Sequence, residues 1–195
     1  EIMGISPILF NRLTEEAKEK MDTGRTGGKL TPTQKQDEAN AKAYINGHGV
    51  YIPSVNIKRC LLQGAQKANL KFGRKSLSTF LEPLVFIEEQ EVEFGKKECD
   101  FIDERVGRIP PKTGPAAIIR RPGIHSGWKL AFTFVVADDR IDEQQIHNAL
   151  QEAGLLQGIG SFRPEFGRFI VKSWEVVVPA KSKSVQWGIA EPKVA

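Results

Sequence analysis

Two segments of the chain carry apolar residues at intervals of three and four positions, a spacing that favours one buried face of an α-helix. The first helix is predicted to begin at Ser54, an N-cap type of residue directly after Pro53. Its apolar face comprises Ile57, Cys60, Leu61, Gly64, Ala65 and Ala68. The second helix follows Asp139 or Asp142, either of which can cap it. Its apolar face comprises Ile146, Ala149, Leu150 and Ala153.

Alternation of apolar and polar residues predicts the strands. They are expected at residues 2–10, interrupted by Gly4 and Pro7, and at 84–94, 128–137 and 169–178. Together with the two helices they give the order βαββαβ. This order predicts an α+β, ferredoxin-like (RRM-like) fold with the helices on one face of the sheet. The fold supports many functions and by itself indicates none of them.

The remaining segments are predicted to be insertions in a single domain at residues 1–178, followed by a peripheral tail at 179–195. The insertion at about 11–48 is polar and rich in glycine, so we expect a long flexible connection with one short helix at 15–21. The insertion at about 101–126 contains Pro110, Pro111, Pro115 and Pro122. Prolines at this density predict a protruding loop or hairpin, neither a helix interior nor a central strand.

The second insertion also concentrates the positive charge. The chain has a net charge of +4, yet residues 105–137 contain no Asp or Glu. Six basic residues lie in this stretch: Arg105, Arg108, Lys112, Arg120, Arg121 and Lys129. The rest of the chain therefore sums to about −2. Such a distribution is typical of a surface that binds a polyanion, and a solvated basic loop without a partner is the alternative.

A glycine-rich segment at residues 154–169 connects the second helix to the last strand. It contains four glycines, three phenylalanines and two arginines: Gly154, Gly158, Gly160, Gly167, Phe162, Phe166, Phe169, Arg163 and Arg168. Glycine gives close access to the backbone, the aromatic rings offer stacking faces, and guanidinium groups bind phosphates. The mixture favours a loop that holds a phosphate-bearing chain. An irregular connection whose phenylalanines belong to the core is the alternative.

Other chemistry is poorly supported. The segment 24–31 superficially resembles a phosphate-binding loop, but Thr23 and Leu30 stand where that motif needs Gly and Ser or Thr. Two cysteines and three histidines show no metal-ligand spacing, so we expect no metal and no cofactor. We also expect no catalytic residue. No apolar run approaches the roughly 20 residues of a membrane helix, and we expect a cytoplasmic protein with no membrane partner.

Three stretches together resemble the repeat-associated mysterious protein (RAMP) superfamily, especially the backbone subunits of CRISPR effector complexes. The first is Gly4-Ile-Ser-Pro-Ile-Leu9, similar to the first strand of the family. The second is Val50-Tyr-Ile-Pro-Ser-Val-Asn-Ile-Lys-Arg-Cys-Leu61, similar to its proline–serine entry into the first helix. The third runs from Gly158 to Phe169 and is similar to its hallmark glycine-rich loop. Arg59 and Phe169 stand where the family usually has glycine.

The resemblance implies sequence-independent binding of guide RNA by a repeating backbone subunit of an antiviral ribonucleoprotein. The implied partners are guide RNA, further copies of the chain and other effector subunits, with the target strand as a further candidate. The first helix would contact RNA through Ser54, Asn56, Lys58 and Arg59. The loop would contribute Gly158, Gly160, Phe162, Arg163, Phe166 and Arg168. The basic insertion would be a thumb-like hairpin that reaches the neighbouring copy, carrying Arg105, Arg108, Lys112, Arg120 and Arg121. In some relatives an aspartate after the first strand cleaves target RNA, and Asp22 or Asp37 lies in comparable territory.

Two other functions remain open at the level of sequence. An RNA endonuclease on the same fold would depend on His125, as a general base, or on Tyr44 or Tyr51. A nucleic-acid-free assembly subunit of a phage or mobile element would oligomerise through the 105–124 arm instead.

Overall fold

A computed structural model describes residues 1–14, 31–108 and 116–177, with backbone alone at 32, 107, 108, 116 and 117. The described part of the chain is mixed α+β, with four helices and small antiparallel sheets, which confirms the predicted class. The predicted helix at 15–21 and the tail at 179–195 lie outside the described residues. No helix in the described ranges has both the length and the apolar character needed to cross a bilayer.

The N-terminal strand is the middle strand of a three-stranded sheet. Strand β1 (Ile2–Gly4) pairs antiparallel with β10 (Lys129–Leu130) on one side and with β12 (Phe169–Val171) on the other. Strand β11 (Phe134–Val136) follows β10 along the chain and pairs antiparallel with β6 (Val85–Ile87). The predicted strand at 128–137 is therefore interrupted at 131–133, and the predicted strand at 169–178 ends at Val171.

Two long helices, α2 (Ser54–Lys67) and α4 (Glu143–Leu156), cover the core and confirm the predicted apolar faces except at Ala68, which is the half-buried C-cap of α2. The buried residues are Ile57, Cys60, Leu61, Gly64 and Ala65 on α2, and Ile146, Ala149, Leu150 and Ala153 on α4. Gly64 faces the backbone of Ala153, where no side chain would fit between the two helices. Asp142 caps α4 as predicted, in a reciprocal capping box with Gln145. The N-cap of α2, however, is Pro53, and Ser54 is its first helical residue.

The basic insertion forms a hairpin, as predicted. Strands β8 (Phe101–Arg108) and β9 (Ala116–Ile124) pair antiparallel, and the short strand β2 (Ile8–Leu9) pairs with the other edge of β9. Strand β9 is thus a central strand that contains Pro122, so the exclusion of a central strand was wrong. Pro122 is tolerated because its backbone faces β2, where its carbonyl accepts the Phe10 N–H at 2.9 Å. The missing N–H consequently removes no bond to β8.

Several elements were not predicted. Within the first insertion lies helix α1 (Pro32–Asn40). Its N-cap is Thr31, whose side chain forms a capping box with Gln34. A small hairpin of β4 (Lys71–Phe72) and β5 (Lys75–Ser76) leads into helix α3 (Leu77–Leu84). The predicted strand at 84–94 divides into β6 and β7 (Glu91–Glu93), and β7 pairs with β3 (Tyr51–Pro53), the strand that enters α2.

Candidate nucleic-acid interface

A cleft of about 260 Å³ opens between the first turns of α2 and the glycine-rich loop. It brings together four of the residues predicted to bind RNA: Asn56 and Arg59 from α2, and Gly160 and Arg163 from the loop. The other residues that line it are Phe10, Asn11, Tyr44, Ile52 and Ser161. Residues of α2 and of the glycine-rich loop, about a hundred positions apart in sequence, therefore line one concave site.

The loop is held against the end of the first strand region by backbone hydrogen bonds. The N–H of Ser161 donates to the carbonyl of Leu9 at 2.8 Å, and the N–H of Gly167 donates to the carbonyl of Pro7 at 2.7 Å. Gly167 has a φ of +76°, and a β-carbon there would overlap the carbonyl of Ile159. Glycine is thus required at this position, because the two ends of the loop cross at close range.

Cys60, a buried residue of α2, contacts the start of the loop. Its thiol lies 3.1 Å from the carbonyl oxygen of Gly158, at the start of the loop, and donates to it. Burial raises the pKa of Cys60 to about 12, so the thiol stays protonated. Cys60 is therefore a packing residue that joins α2 to the loop.

The entry of α2 directs its first turn towards the cleft. The N–H of Ser54 donates a hydrogen bond to the carbonyl of Gln90 at 2.9 Å, and the half-buried Asn56 lies two residues further on. The first turn carries no acidic residue, so the positive end of the helix dipole is not neutralised within the helix. Arg59, one turn along the same face, projects into solvent at the edge of the cleft.

The cleft is electropositive. Arg59 makes no ion pair with any described residue, and Arg163 makes one hydrogen bond, from Nη1 to Oε1 of Gln63 at 3.3 Å. No carboxylate is among the side chains that line the site within the described ranges. Two guanidinium groups without carboxylate partners on facing walls are suited to holding a phosphate.

A second cluster joins the hairpin to the loop. The guanidinium carbon of Arg105 lies 4.7 Å from the ring centroid of Phe162 and 4.6 Å from that of Phe166. The two rings are 6.2 Å apart and nearly perpendicular. Nε of Arg105 also contacts Asp103 at 2.7 Å, and this hydrogen bond raises the pKa of Arg105. The rings predicted to stack on bases are thus in contact with an arginine of the hairpin.

Consecutive arginines of β9 face opposite sides of the hairpin. Arg121 lies on the loop side, its guanidinium carbon 5.5 Å from the centroid of Phe162. Its Nε and Nη1 are buried and have no hydrogen-bond partner among the described residues, and burial lowers the pKa of the guanidinium. Arg120 lies on the other side, beside Lys35 and Gln36 of α1, and its Nε contacts Oε1 of Glu104 at 2.6 Å.

The other predicted RNA-binding residues surround the cleft or lie away from it. Ser54 is half-buried, and Arg168 is exposed with its N–H bonded to Oγ of Ser6. Nζ of Lys58 lies 4.6 Å from the centroid of the Phe86 ring, outside the cleft lining. The side chain of Arg108 and all of Lys112 lie outside the described residues.

Among the described residues considered for catalysis, only Tyr44 and Tyr51 contact each other. His125 stacks on Phe101 with a centroid distance of 4.7 Å, and it is not part of the cleft lining. Tyr44 lines the cleft and packs against Tyr51 at 5.8 Å. Asp37 lies in α1, and Asp22 falls outside the described residues. In the described ranges no three His, Cys, Asp or Glu side chains gather closely enough to hold a metal ion.

Sequence reasoning did not assign Phe10, Asn11, Ile52 and Ser161 to the site. Ser161 carried a usable signal because it lies inside the glycine-rich loop. Phe10 and Asn11 directly follow β2, and Ile52 is the middle residue of β3. Only the tertiary fold brings these three residues to the cleft.

No model of a known protein family matches the chain, and a search of curated proteins found no significant match.

Proposed function

We propose that this chain is a RAMP-like backbone subunit that binds guide RNA independently of sequence and repeats along it in an effector ribonucleoprotein. One observation carries the proposal: the two sequence stretches that resemble the RNA-contacting parts of that family meet at one cleft. Asn56 and Arg59 stand on one wall, with Gly160 and Arg163 on the other. Nothing in the sequence of either stretch alone requires them to meet.

The strand pairings support a ferredoxin-like sheet as the framework. The pairs run β12–β1–β10 and β11–β6, all antiparallel, with β10 and β11 separated by only three residues of chain. If β10 and β11 are taken as one bent strand, the sheet has four strands, which in chain order are β1, β6, β10–β11 and β12. Their spatial order is then fourth, first, third, second. This is the strand order that a split βαβ topology produces. Helices α2 and α4 occupy the two crossover positions.

Arginines supply the phosphate contacts in this proposal. Arg59 and Arg163 hold the backbone at the cleft, and Arg121 extends the path towards the hairpin. Contacts to phosphates carry no sequence information, so affinity depends on salt and little on base identity. For single-stranded RNA each lost contact should reduce the slope of log affinity against log salt by about 0.7.

The hairpin of β8 and β9 acts as the thumb that reaches the next copy. Val106 and Ile118 lie opposite each other in its register and are 77% and 57% exposed, so the described part of the hairpin offers an apolar surface. Exposed apolar side chains that lie side by side are suited to contact with another protein surface.

The test is purification at low salt, followed by nuclease digestion of the nucleic acid that co-purifies. We expect an ultraviolet absorbance ratio typical of bound nucleic acid and protected RNA fragments in a ladder of constant spacing. The spacing gives the number of nucleotides that each copy covers. A protein free of nucleic acid that also fails to bind added RNA would refute the proposal and favour the assembly-subunit alternative.

The matched variants are Arg59→Ala with Arg163→Ala and, as the control, Arg74→Ala with Lys75→Ala. Arg74 and Lys75 are exposed cations at the turn between β4 and β5, beyond the far end of α2. The cleft variant should lose the protected ladder, whereas the control should retain it. Equal loss in both proteins would mean that net charge, and not the cleft, determines binding.

A further inference from the structure

The cleft contains four neutral polar side chains whose hydrogen-bonding capacity is unused. They are Asn11, Tyr44, Asn56 and Ser161. Within the described part of the chain, none of the four side chains makes a hydrogen bond. Two amides, a phenol and a hydroxyl at one concave surface are more polar groups than a phosphate clamp requires, because cations and backbone N–H groups already serve a phosphate.

The size and the floor of the cleft also indicate more than a phosphate. Its volume of about 260 Å³ approaches that of the smallest ligand pockets, about 300 Å³. Phe10 and Ile52 line it as buried apolar residues, and the half-buried ring of Tyr44 stands beside them. A sugar and its base fit this combination of apolar floor and polar wall.

Each wall pairs one neutral polar residue with one arginine. On α2, Asn56 precedes Arg59 by three positions, so both lie on one face of the helix. On the loop, Ser161 precedes Arg163 by two positions. A nucleotide whose phosphate lies between the two arginines would therefore place its sugar within reach of an amide and a hydroxyl. The ribose 2′-hydroxyl both donates and accepts a hydrogen bond, and it distinguishes RNA from DNA.

We propose that the cleft holds the sugar of one nucleotide and recognises its 2′-hydroxyl through Asn56 and Ser161, so that the protein selects RNA over single-stranded DNA. This inference rests on the proposed RNA-binding function. Discrimination then comes from the polar groups of the cleft, and the arginines contribute equally to both nucleic acids. Tyr44 supplies a ring on which the base stacks without regard to its identity.

The experiment is a competition assay with three ligands of equal length: oligouridine, oligodeoxyuridine and 2′-O-methyl oligouridine. Each displaces labelled oligouridine from the full-length protein, and fluorescence anisotropy reports the displacement. The three differ only at the 2′ position. We expect oligouridine to bind about tenfold more tightly than the deoxy ligand. The deoxy ligand lacks the 2′-hydroxyl, so a polar side chain of the cleft loses about one hydrogen bond. The 2′-O-methyl ligand, which cannot donate, should also bind more weakly than oligouridine.

Variants locate the discrimination. Asn56→Ala and Ser161→Ala should each lower the affinity ratio of RNA to DNA towards one, whereas Arg59→Ala should weaken both ligands alike. Gln66→Ala removes an exposed amide near the other end of α2 and serves as the matched control with an unchanged ratio. The ligand series on the unmodified protein keeps the test decisive even where a variant fails to fold.

The outcomes separate the two proposals. Equal affinity of the unmodified protein for oligouridine and oligodeoxyuridine would overturn the inference and leave the RNA-binding function standing. A preference for RNA that survives both Asn56→Ala and Ser161→Ala would overturn the assignment to this cleft. Failure of all three ligands to displace or bind would overturn the proposed function and, with it, this inference.

Discussion

The sharpest consequence of the hairpin geometry concerns two adjacent arginines. Arg121→Met and Arg120→Met remove the same charge at neighbouring positions of β9, but only Arg121 lies on the loop side. Nε and Nη1 of Arg121 are buried without a partner among the described residues. A phosphate can reach these atoms only if neighbouring side chains such as Phe162 move aside, and it would then supply the missing acceptor. A hydrogen bond to a charged group contributes about 1.5–3 kcal/mol. We therefore expect Arg121→Met to weaken RNA binding about 30-fold, which corresponds to about 2 kcal/mol.

Arg120→Met should have a small effect on binding, because Glu104 already occupies its guanidinium at 2.6 Å. The order of the two variants should be reversed for stability, with Arg121→Met the more stable of the two. Replacing an unpaired buried guanidinium by an apolar side chain of similar shape is neutral or stabilising, so the melting temperature of Arg121→Met should stay constant or rise. Arg120→Met loses a half-exposed ion pair worth about 1 kcal/mol or less, and its melting temperature should fall by no more than about 4 °C.

The assay combines fluorescence anisotropy with unrelated single-stranded RNAs and thermal unfolding of the free proteins. Arg121→Met should lose affinity for every RNA by a similar factor and should show a shallower salt dependence. Equal losses of affinity in the two variants would refute the reasoning, since they would show that binding depends on net charge and not on the face of β9. A loss confined to one RNA sequence would contradict sequence-independent binding.

Three further predictions concern the framework of the site. Gly167→Ala should lower the free energy of unfolding, measured by chemical denaturation, by about 1–3 kcal/mol or more. The φ of +76° and the nearby Ile159 carbonyl exclude a side chain at this position. Thr31→Ala should cost about 1 kcal/mol in the same assay, through loss of the capping box of α1. The Cys60 thiol has an ordinary pKa of 9.0, raised to about 12 in the folded chain, so the unfolded chain loses this proton first. The unfolding free energy should therefore fall as pH rises from about 9 towards 12, a decline that Cys60→Ala should reduce, with pH-dependent denaturation as the measurement.

Helical spacing was sufficient to predict helix α2, whereas Asn56 and Arg59 were assigned to the site only through the family resemblance. Asn56 and Arg59 lie three positions apart in a segment of clear amphipathic periodicity, and the structure places both on the face that meets the loop. The position of the loop could not be predicted in the same way. It depends on the backbone bonds of Ser161 and Gly167 to Leu9 and Pro7, and these contacts join segments about 150 residues apart.

The unpredicted helix α1 shows the opposite case, a local signal that was present but not used. Thr31, Pro32 and Gln34 form a capping box with proline in the first turn, which is typical of a helix start. The helix was missed because Ala39 is the one buried apolar residue among its described side chains, so no apolar stripe reveals its period. Its position against β9 depends on tertiary contacts such as the hydrogen bond from Nζ of Lys42, just beyond α1, to the carbonyl of Arg120 at 3.3 Å.

The charge of the hairpin shows why a count of basic residues overstates the charge available to a polyanion. The stretch without acidic residues begins at Arg105, directly after Asp103 and Glu104. The β8–β9 register then sets Asp103 opposite Arg121 and Glu104 opposite Arg120. Glu104 binds Arg120, and Asp103 turns back to bind Arg105, which leaves the guanidinium of Arg121 without a hydrogen-bonding carboxylate in the described structure. Strand pairing thus leaves Arg121 as the one described arginine side chain of the hairpin that faces the loop without a hydrogen-bond partner.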